Sequence, residues 1–184
     1  MSKTSRVNIK EWSKKELNSN FKFYVVLIIC ALLAIILSRG ISSWPDVHQI
    51  DIENTSLNFI YGWFGLSFAV SVIGAMFQTS AMFTMIDITR GEEKHTAPMQ
   101  KTFAIFDKGQ YFLGWIVISI LVGIFTFLWS LLLIFPGIIK SYAYSQSVFI
   151  YRDAIKRGKP MGYLEAITES RKRMVGKKWF LFVF

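Results

Sequence analysis

Long apolar runs alternate along the chain with short polar and basic segments, and this alternation predicts membrane-spanning helices. Runs of about 20 apolar residues match the thickness of the hydrocarbon core of a bilayer. The runs predict four spans and the start of a fifth, at residues 22–38, 60–86, 111–135, 137–155 and 179–184. We therefore expect an all-α polytopic helical bundle, in which a basic cytoplasmic segment at residues 1–21 precedes a single transmembrane domain at residues 22–184.

Small residues line one side of the second predicted span. Ser67, Ser71, Ala75 and Thr79 recur every four residues and therefore share one helix face. Because small residues let helices approach closely in lipid, we expect this face to contact another helix. Gln78 is the main strongly polar side chain in the same span, and it is predicted to form an interhelical hydrogen bond or to belong to a site.

The fourth predicted span, with the sequence GIIKSYAYSQSVFIYRDAI, is unusually polar for a membrane helix. At about 100° per residue, Lys140, Tyr144, Ser147 and Tyr151 form one narrow polar stripe. Unpaired polar groups are costly in lipid, so we expect the stripe to face the bundle interior, opposite the small-residue face near Gln78. Two interpretations of Lys140 stay open: a lysine that reaches the headgroups and sets the topology, or a functional lysine in a polar cavity.

The Pro136–Gly137 pair separates the third predicted span from the fourth. Proline disfavours helical conformation in the residue before it, so the third helix is expected to end at Phe135. Glycine tolerates the backbone conformations of tight turns and is expected to permit the reversal of the chain. This pair therefore predicts a short turn between two antiparallel helices.

Lysine and arginine predict the orientation of the bundle. Six lie in the segment up to Lys22, four between Arg90 and Lys108, and nine between Arg152 and Lys178. The loop at 39–59 and the Pro136–Gly137 region carry one each. Positive charge accumulates on the cytoplasmic side, so the N-terminus is predicted to be cytoplasmic. The net charge of +9 then favours anionic membrane lipids, rather than nucleic acid, as partners.

The basic segment after the fourth span is predicted to be an amphipathic cytoplasmic helix over its second half. Leu164, Ile167 and Met174 fall on one side of that helix, and Glu169 and Arg173 form an i,i+4 pair. The N-terminal basic segment similarly predicts a short interfacial helix. These two segments are the parts of the chain expected to lie at the membrane surface.

Few residues offer catalytic or metal-binding chemistry. Cys30 is the one cysteine, which excludes an intramolecular disulfide. The two histidines, His48 and His95, are predicted to lie on opposite sides of the membrane and cannot share a metal within one chain. Glu92 and Glu93 faintly resemble the paired glutamates of intramembrane CAAX-type proteases, but this chain lacks the further histidines of those enzymes. We therefore expect Glu92, Glu93 and His95 to lie in a solvated loop. We therefore expect no catalytic residue, no metal and no cofactor.

The stretch LLLIFPGIIKSYAYSQSVFIYRD, followed by LEAITESRKRMVGKKWFLFVF, resembles the bacterial integral membrane family catalogued as domain of unknown function nine-seven-five. The resemblance is strongest over residues 131–184, at Pro136, Gly137, Ile138, Ile139, Lys140, Tyr144, Ser145, Asp153, Glu165, Ala166, Ser170, Met174, Gly176, Lys178 and Trp179. It implies a polytopic protein of the bacterial cell membrane. Family members continue through a fifth and often a sixth helix, so we expect a truncated form or a bundle that a partner completes.

Three functional hypotheses follow from these patterns. The first is a non-enzymatic membrane interaction or scaffold protein, including one that protects the envelope against stress or bacteriocins. The second is a transporter or channel component that uses the polar face of the fourth span. The third and least favoured is an intramembrane enzyme. The expected partners are membrane lipids together with a second copy of the chain or another membrane protein.

Overall fold

The computed structural model describes residues 3–47, 56–132 and 134–177, and all regular structure in these ranges is helical. The α-helices in these ranges are α1 (Lys3–Ser19), α2 (Phe21–Val47), α3 (Leu57–Thr89), α4 (Pro98–Lys101), α5 (Gly109–Leu132), α6 (Ile134–Tyr144), α7 (Ser147–Lys156) and α8 (Tyr163–Arg173). A short 3₁₀ turn at Ala104–Phe106 follows α4. The prediction of an all-α fold is confirmed. The predicted start of a fifth span, at 179–184, lies outside the described residues.

Three helices in the described ranges are long and apolar enough to cross a membrane: Phe21–Pro45 within α2, Leu57–Thr89 and Gly109–Leu131. Large apolar side chains on these helices are exposed, as for Phe68 at 70% and Leu131 at 68%, which is expected of helices that face lipid. The three helices indicate a membrane location, and they coincide with the first three predicted spans. Their ends differ most in α2, which continues nine residues past the predicted boundary at residue 38.

The chain forms two compact units, Met1–Ile105 and Phe106–Phe184, which are described separately. In the first unit, α2 packs along α3 around a core of Phe23, Tyr24, Leu27 and Ala81. Gly74 on α3 marks their close approach, since a Cβ there would lie 3.1 Å from the Ala34 Cβ on α2. The prediction of a single transmembrane domain is not tested by this division and stays a prediction.

In the second unit, α6 and α7 run antiparallel along α5. Gly137 lies against Ser130, the Tyr144 ring lies 6.1 Å from the Phe125 ring, and Tyr151 packs over Gly114. Helix α8 covers this arrangement and completes a core listed in chain order as Ile118, Ala143, Tyr144, Tyr151, Ala166 and Ile167. Successive residues of α6 and α7 therefore contact progressively earlier residues of α5, which makes the pairing antiparallel.

The predicted fourth span at 137–155 is divided into two helices by a break at Ser145 and Gln146. Helix α6 has 11 residues and α7 has 10, so each is about 15 Å long, roughly half the hydrocarbon thickness. One uninterrupted helix was the wrong expectation. Whether this part of the chain crosses the membrane stays a prediction.

The turn between α5 and α6 also differs from the sequence-based expectation. Helix α5 ends at Leu132 rather than Phe135, and Pro136 lies within the first turn of α6, where a missing backbone N–H costs nothing. Gly137 also lies inside α6, and a Cβ there would overlap Ser130 Oγ and lie 3.0 Å from the Ser130 Cα. Close helix packing, rather than reversal of the chain, therefore requires this glycine.

Candidate functional site

The predicted polar stripe lies along α6 and α7. The side chains of Tyr144, Ser147 and Tyr151 are buried, with Ser147 fully so. Lys140 is half-buried, and its Nζ lies 4.1 Å from the centroid of the Trp129 ring on α5. A cation over an indole face is the strongest of the cation–π pairings, so Lys140 has a partner that neither interpretation of it included.

Helix α6 ends at Tyr144, and the last four carbonyls of an α-helix have no amide partner within that helix. Three consecutive carbonyls there accept hydrogen bonds from serine hydroxyls. The bonds run from Ser145 Oγ to Tyr142 O (2.9 Å), from Ser170 Oγ to Ala143 O (2.8 Å) and from Ser147 Oγ to Tyr144 O (2.7 Å). Two of the donors, Ser147 and Ser170, are fully buried. Serine hydroxyls, including one from α8, therefore act as hydrogen-bond donors to the carbonyls at the end of α6.

Helix α8 docks through one face on α6 and α7, here called the broken helix. Ala166, Ile167, Ser170 and Met174 are buried, and Ser170 makes the hydroxyl bond to α6 across 27 residues of sequence. The predicted helix and two of its three predicted apolar-side residues are confirmed. Leu164 is 58% exposed, because it lies about 100° around the helix from the middle of that face.

The opposite side of α8 is charged. Arg173 Nε donates to Glu169 Oε1 at 2.9 Å, which confirms the predicted i,i+4 pair. This hydrogen bond holds the pKa of Glu169 below its ordinary value. The exposed basic residues of α8 and its flanks, here called the basic surface, are Lys156, Arg157, Lys159, Arg171, Lys172, Arg173 and Lys177.

Glycine positions the aromatic end of the stripe. A Cβ on Gly114 of α5 would overlap the Tyr151 ring and lie 3.0 Å from its Cζ atom. On its other side, the Tyr151 ring lies 5.2 Å from the Tyr163 ring at the start of α8. Tyr151 is therefore held between α5 and α8 by a contact that only glycine allows.

Gln78, the remaining residue of the predicted site, lies on α3 with its side chain exposed. It belongs to the first compact unit, whereas the stripe belongs to the second. The predicted position of the stripe opposite Gln78 therefore stays a prediction.

A serine cluster between α2 and α3 was only half visible in the sequence. Ser67 Oγ donates to Ser38 O at 3.1 Å, and the Ser38 and Ser71 hydroxyls lie 2.5 Å apart. The Ser42 hydroxyl also bonds to the Ser67 hydroxyl. Ser67 and Ser71 were predicted to face another helix, and the structure confirms this. Their partners Ser38 and Ser42 also recur at i,i+4, which is the signal that could have identified them.

A second polar contact was missed because His95 was expected to be a solvated loop residue. His95 Nε2 lies 2.8 Å from Glu16 Oε1 and 3.2 Å from the Tyr24 hydroxyl. The imidazole ring also meets the Phe23 ring edge-on at 5.2 Å. Three parts of the chain are joined there: α1, the start of α2 and the loop after α3. No sequence spacing signals this contact, since the residues are far apart in the chain.

These arrangements hold helices together. Within the described ranges, no group of three or more His, Cys, Asp or Glu residues could hold a metal ion. Cys30 is half-buried on α2 with a free thiol. Of the predicted outer loop at 39–59, residues 39–47 belong to α2 and residues 57–59 to α3, whereas residues 48–55, with His48, lie outside the described residues.

Comparison with known proteins gives one result. The family model described as "Protein of unknown function (DUF975)" matches residues 1–140. No curated protein and no solved structure matches the chain. Most of the family match lies before residue 131, and it overlaps the stretch of strongest resemblance only at residues 131–140. Because the match covers more than half of the sequence, the chain belongs to the DUF975 family.

Proposed function

We propose that the protein is a non-enzymatic interaction or scaffold protein of the bacterial cell membrane. In this proposal, the membrane helices hold a rigid cytoplasmic helix, α8, and present the basic surface to anionic lipid headgroups and to a partner protein. The observation that carries the proposal is the docking of α8, which has one buried face on the broken helix and a charged face left outside.

A fourth crossing by α6 and α7 is part of this proposal. The two helices follow α5 in antiparallel register, and together their 11 and 10 residues would extend about 32 Å, close to the hydrocarbon thickness. A break within lipid requires that freed backbone groups find partners inside the protein. The serine bonds supply such partners to the carbonyls of Tyr142, Ala143 and Tyr144.

Charge supports the cytoplasmic position of α8. With four crossings, Lys and Arg concentrate on the side that holds residues 1–22, 90–108 and 152–178. Near a membrane surface, each basic residue contributes about 1 kcal/mol of attraction to anionic lipid. The basic surface would therefore hold α8 close to the headgroups in addition to its contact with α6.

Transport is the second candidate function, and the break in the helix favours it. Discontinuous membrane helices form the binding sites of many transporters, where freed backbone groups coordinate the cargo. Here the three carbonyls already accept hydrogen bonds from the chain's own serines. The scaffold role is therefore the better-supported proposal, and catalysis stays the least favoured.

Purification of the full chain in native lipid, followed by mass spectrometry, tests the proposal. A charge-reversing variant, Arg171→Glu with Lys172→Glu, should lose most of the enrichment of anionic lipid. A charge-preserving control, Arg171→Lys with Lys172→Arg, should keep it. A stoichiometric protein partner supports the scaffold role, whereas a retained small polar ligand and equal lipid composition in both variants would contradict it.

A further inference from the structure

The segment between α3 and α5 packs against the sides of the first two membrane helices instead of projecting from their ends. Thr102 is fully buried, and its hydroxyl donates to the carbonyl of Leu27 on α2 at 3.2 Å. Ile105 is also fully buried, and its backbone N–H donates to Ser80 Oγ on α3 at 3.0 Å. These two hydrogen bonds fix residues 98–105 at the level of Leu27 and Ser80.

The depth of Thr102 and Ile105 can be estimated from the helical rise of α2 and, separately, from that of α3. Leu27 lies five residues beyond Lys22, the nearest charged residue on α2, and Ser80 lies seven residues before Asp87, the nearest on α3. At a rise of about 1.5 Å per residue, Thr102 and Ile105 lie roughly 8 and 10 Å below those charged residues. Interfacial segments insert their apolar faces to a similar depth, about 5–10 Å below the headgroup boundary.

The outer face of this segment is mainly apolar, although Gln100 is also exposed. Met99 is 51% exposed and Phe103 is 45% exposed, and the Phe103 ring is oriented edge-on against the Phe77 ring of α3 at 5.3 Å. At the same level, α2 exposes Val25 at 42% and Ile29 at 40%. The segment therefore continues the apolar surface of the membrane helices, which is the surface that lipid covers.

The entry into the segment keeps charge away from this face. Lys101 carries the one charged side chain in residues 98–106, and its Nζ folds back to Glu93 Oε2 at 2.5 Å and to Lys94 O at 2.6 Å. Ala97 turns the chain just before Pro98, with a left-handed φ of 49°. The exposed side chains of residues 98–105 are therefore Met99, Gln100 and Phe103, of which Gln100 is the one polar residue.

We propose that residues 98–105, which follow α3 in the chain, form an interfacial segment that re-enters the membrane beside α2 and α3, with Met99 and Phe103 in contact with lipid acyl chains. The proposal rests on the membrane location of α2 and α3. It does not depend on the scaffold role, the fourth crossing or the basic surface, so the two proposals fail independently.

The test uses the full chain with Cys30→Ala, reconstituted in vesicles of phosphatidylcholine and phosphatidylglycerol. A nitroxide spin label is placed at Phe103→Cys, and its collisions with oxygen and with a water-soluble nickel chelate are measured. Matched labels at Val25→Cys and Glu92→Cys report the proposed depth and the aqueous loop. We expect position 103 to resemble position 25, with a several-fold lower nickel accessibility than position 92 and a higher oxygen accessibility.

Two results would overturn the proposal. Nickel accessibility at position 103 equal to that at position 92 would place the segment in water. Low accessibility to both reagents would mean that protein, such as a second copy of the chain, covers the face instead of lipid. If the Phe103 variant does not fold, Met99→Cys provides the same measurement at the other exposed side chain.

Discussion

Replacement of Ser170 by alanine tests whether hydroxyl donation holds α8 against the broken helix. The Ser170 side chain is fully buried and donates to the carbonyl of Ala143 at 2.8 Å. Alanine keeps the packing volume nearly unchanged but leaves that carbonyl without this donor. The perturbation therefore isolates one hydrogen bond between α8 and α6.

The expected magnitude follows from the surroundings of the bond. Loss of one partner of a buried hydrogen bond costs about 1–3 kcal/mol in soluble proteins, whereas bonds between membrane helices average about 0.6 kcal/mol. The buried apolar contacts of Ala166 and Ile167 remain in the variant. We therefore expect Ser170→Ala to weaken the docking of α8 by about 1 kcal/mol, without unfolding the spans.

Hydrogen exchange in detergent or nanodiscs measures this effect, because undocking exposes the α8 amides. A loss of about 1 kcal/mol should accelerate exchange in α8 about fivefold and leave α5 unchanged. Ser145→Ala is the matched control: its hydroxyl bonds to the carbonyl of Tyr142 at 2.9 Å, a local contact that does not involve α8, so its loss should leave the docking of α8 unchanged. Equal exchange of α8 in the two variants would refute the reasoning.

Two further predictions concern the backbone, and thermal unfolding of the purified chain measures both. Gly114→Ala should destabilise the second unit by about 1–3 kcal/mol, because the new Cβ overlaps the Tyr151 ring. Gly123→Ala on the same helix is the control: its Cβ meets open space, so the change should be neutral or stabilising. A larger loss of stability for Gly123→Ala than for Gly114→Ala would contradict the packing argument. Ala97→Gly should raise stability by up to about 1 kcal/mol, because glycine relieves the left-handed strain at φ 49°; a loss of stability would show that the alanine side chain contributes more than the strain costs.

The three long membrane helices were predictable because each rests on a local property, a run of apolar residues. The end of α2 was not predictable in the same way. Ser38 and Arg39 resemble the polar end of a span, yet Ser38 turns inward to bond Ser67 and the helix continues to Val47. Whether a serine ends a helix or joins two helices depends on the residue that it meets, which a single-sequence pattern does not contain.

The contacts of His95 were also not predictable from a single-sequence pattern. Its neighbours Glu92 and Glu93 made it look like part of a charged, solvated loop. In the structure, its partners are Glu16 and Tyr24, both of which lie more than 70 residues earlier in the chain. Long-range pairs of this kind depend on how α1 and α2 are arranged around the loop, so composition and periodicity could not reveal them.

The polarity of the stretch after Pro136 has a backbone explanation that the side-chain stripe did not include. In one continuous helix the main-chain groups satisfy each other, so a polar stripe on such a helix concerns only what the side chains face. Once the helix breaks, the carbonyls of residues 142–144 need donors, and in apolar surroundings water cannot supply them. Ser145 and Ser147 are close enough in sequence to donate locally, but the carbonyl of Ala143 is reached from Ser170 on α8. The carbonyl of Ala143 therefore links the break between α6 and α7 to the docking of α8, so loss of the Ser170 hydroxyl should affect both.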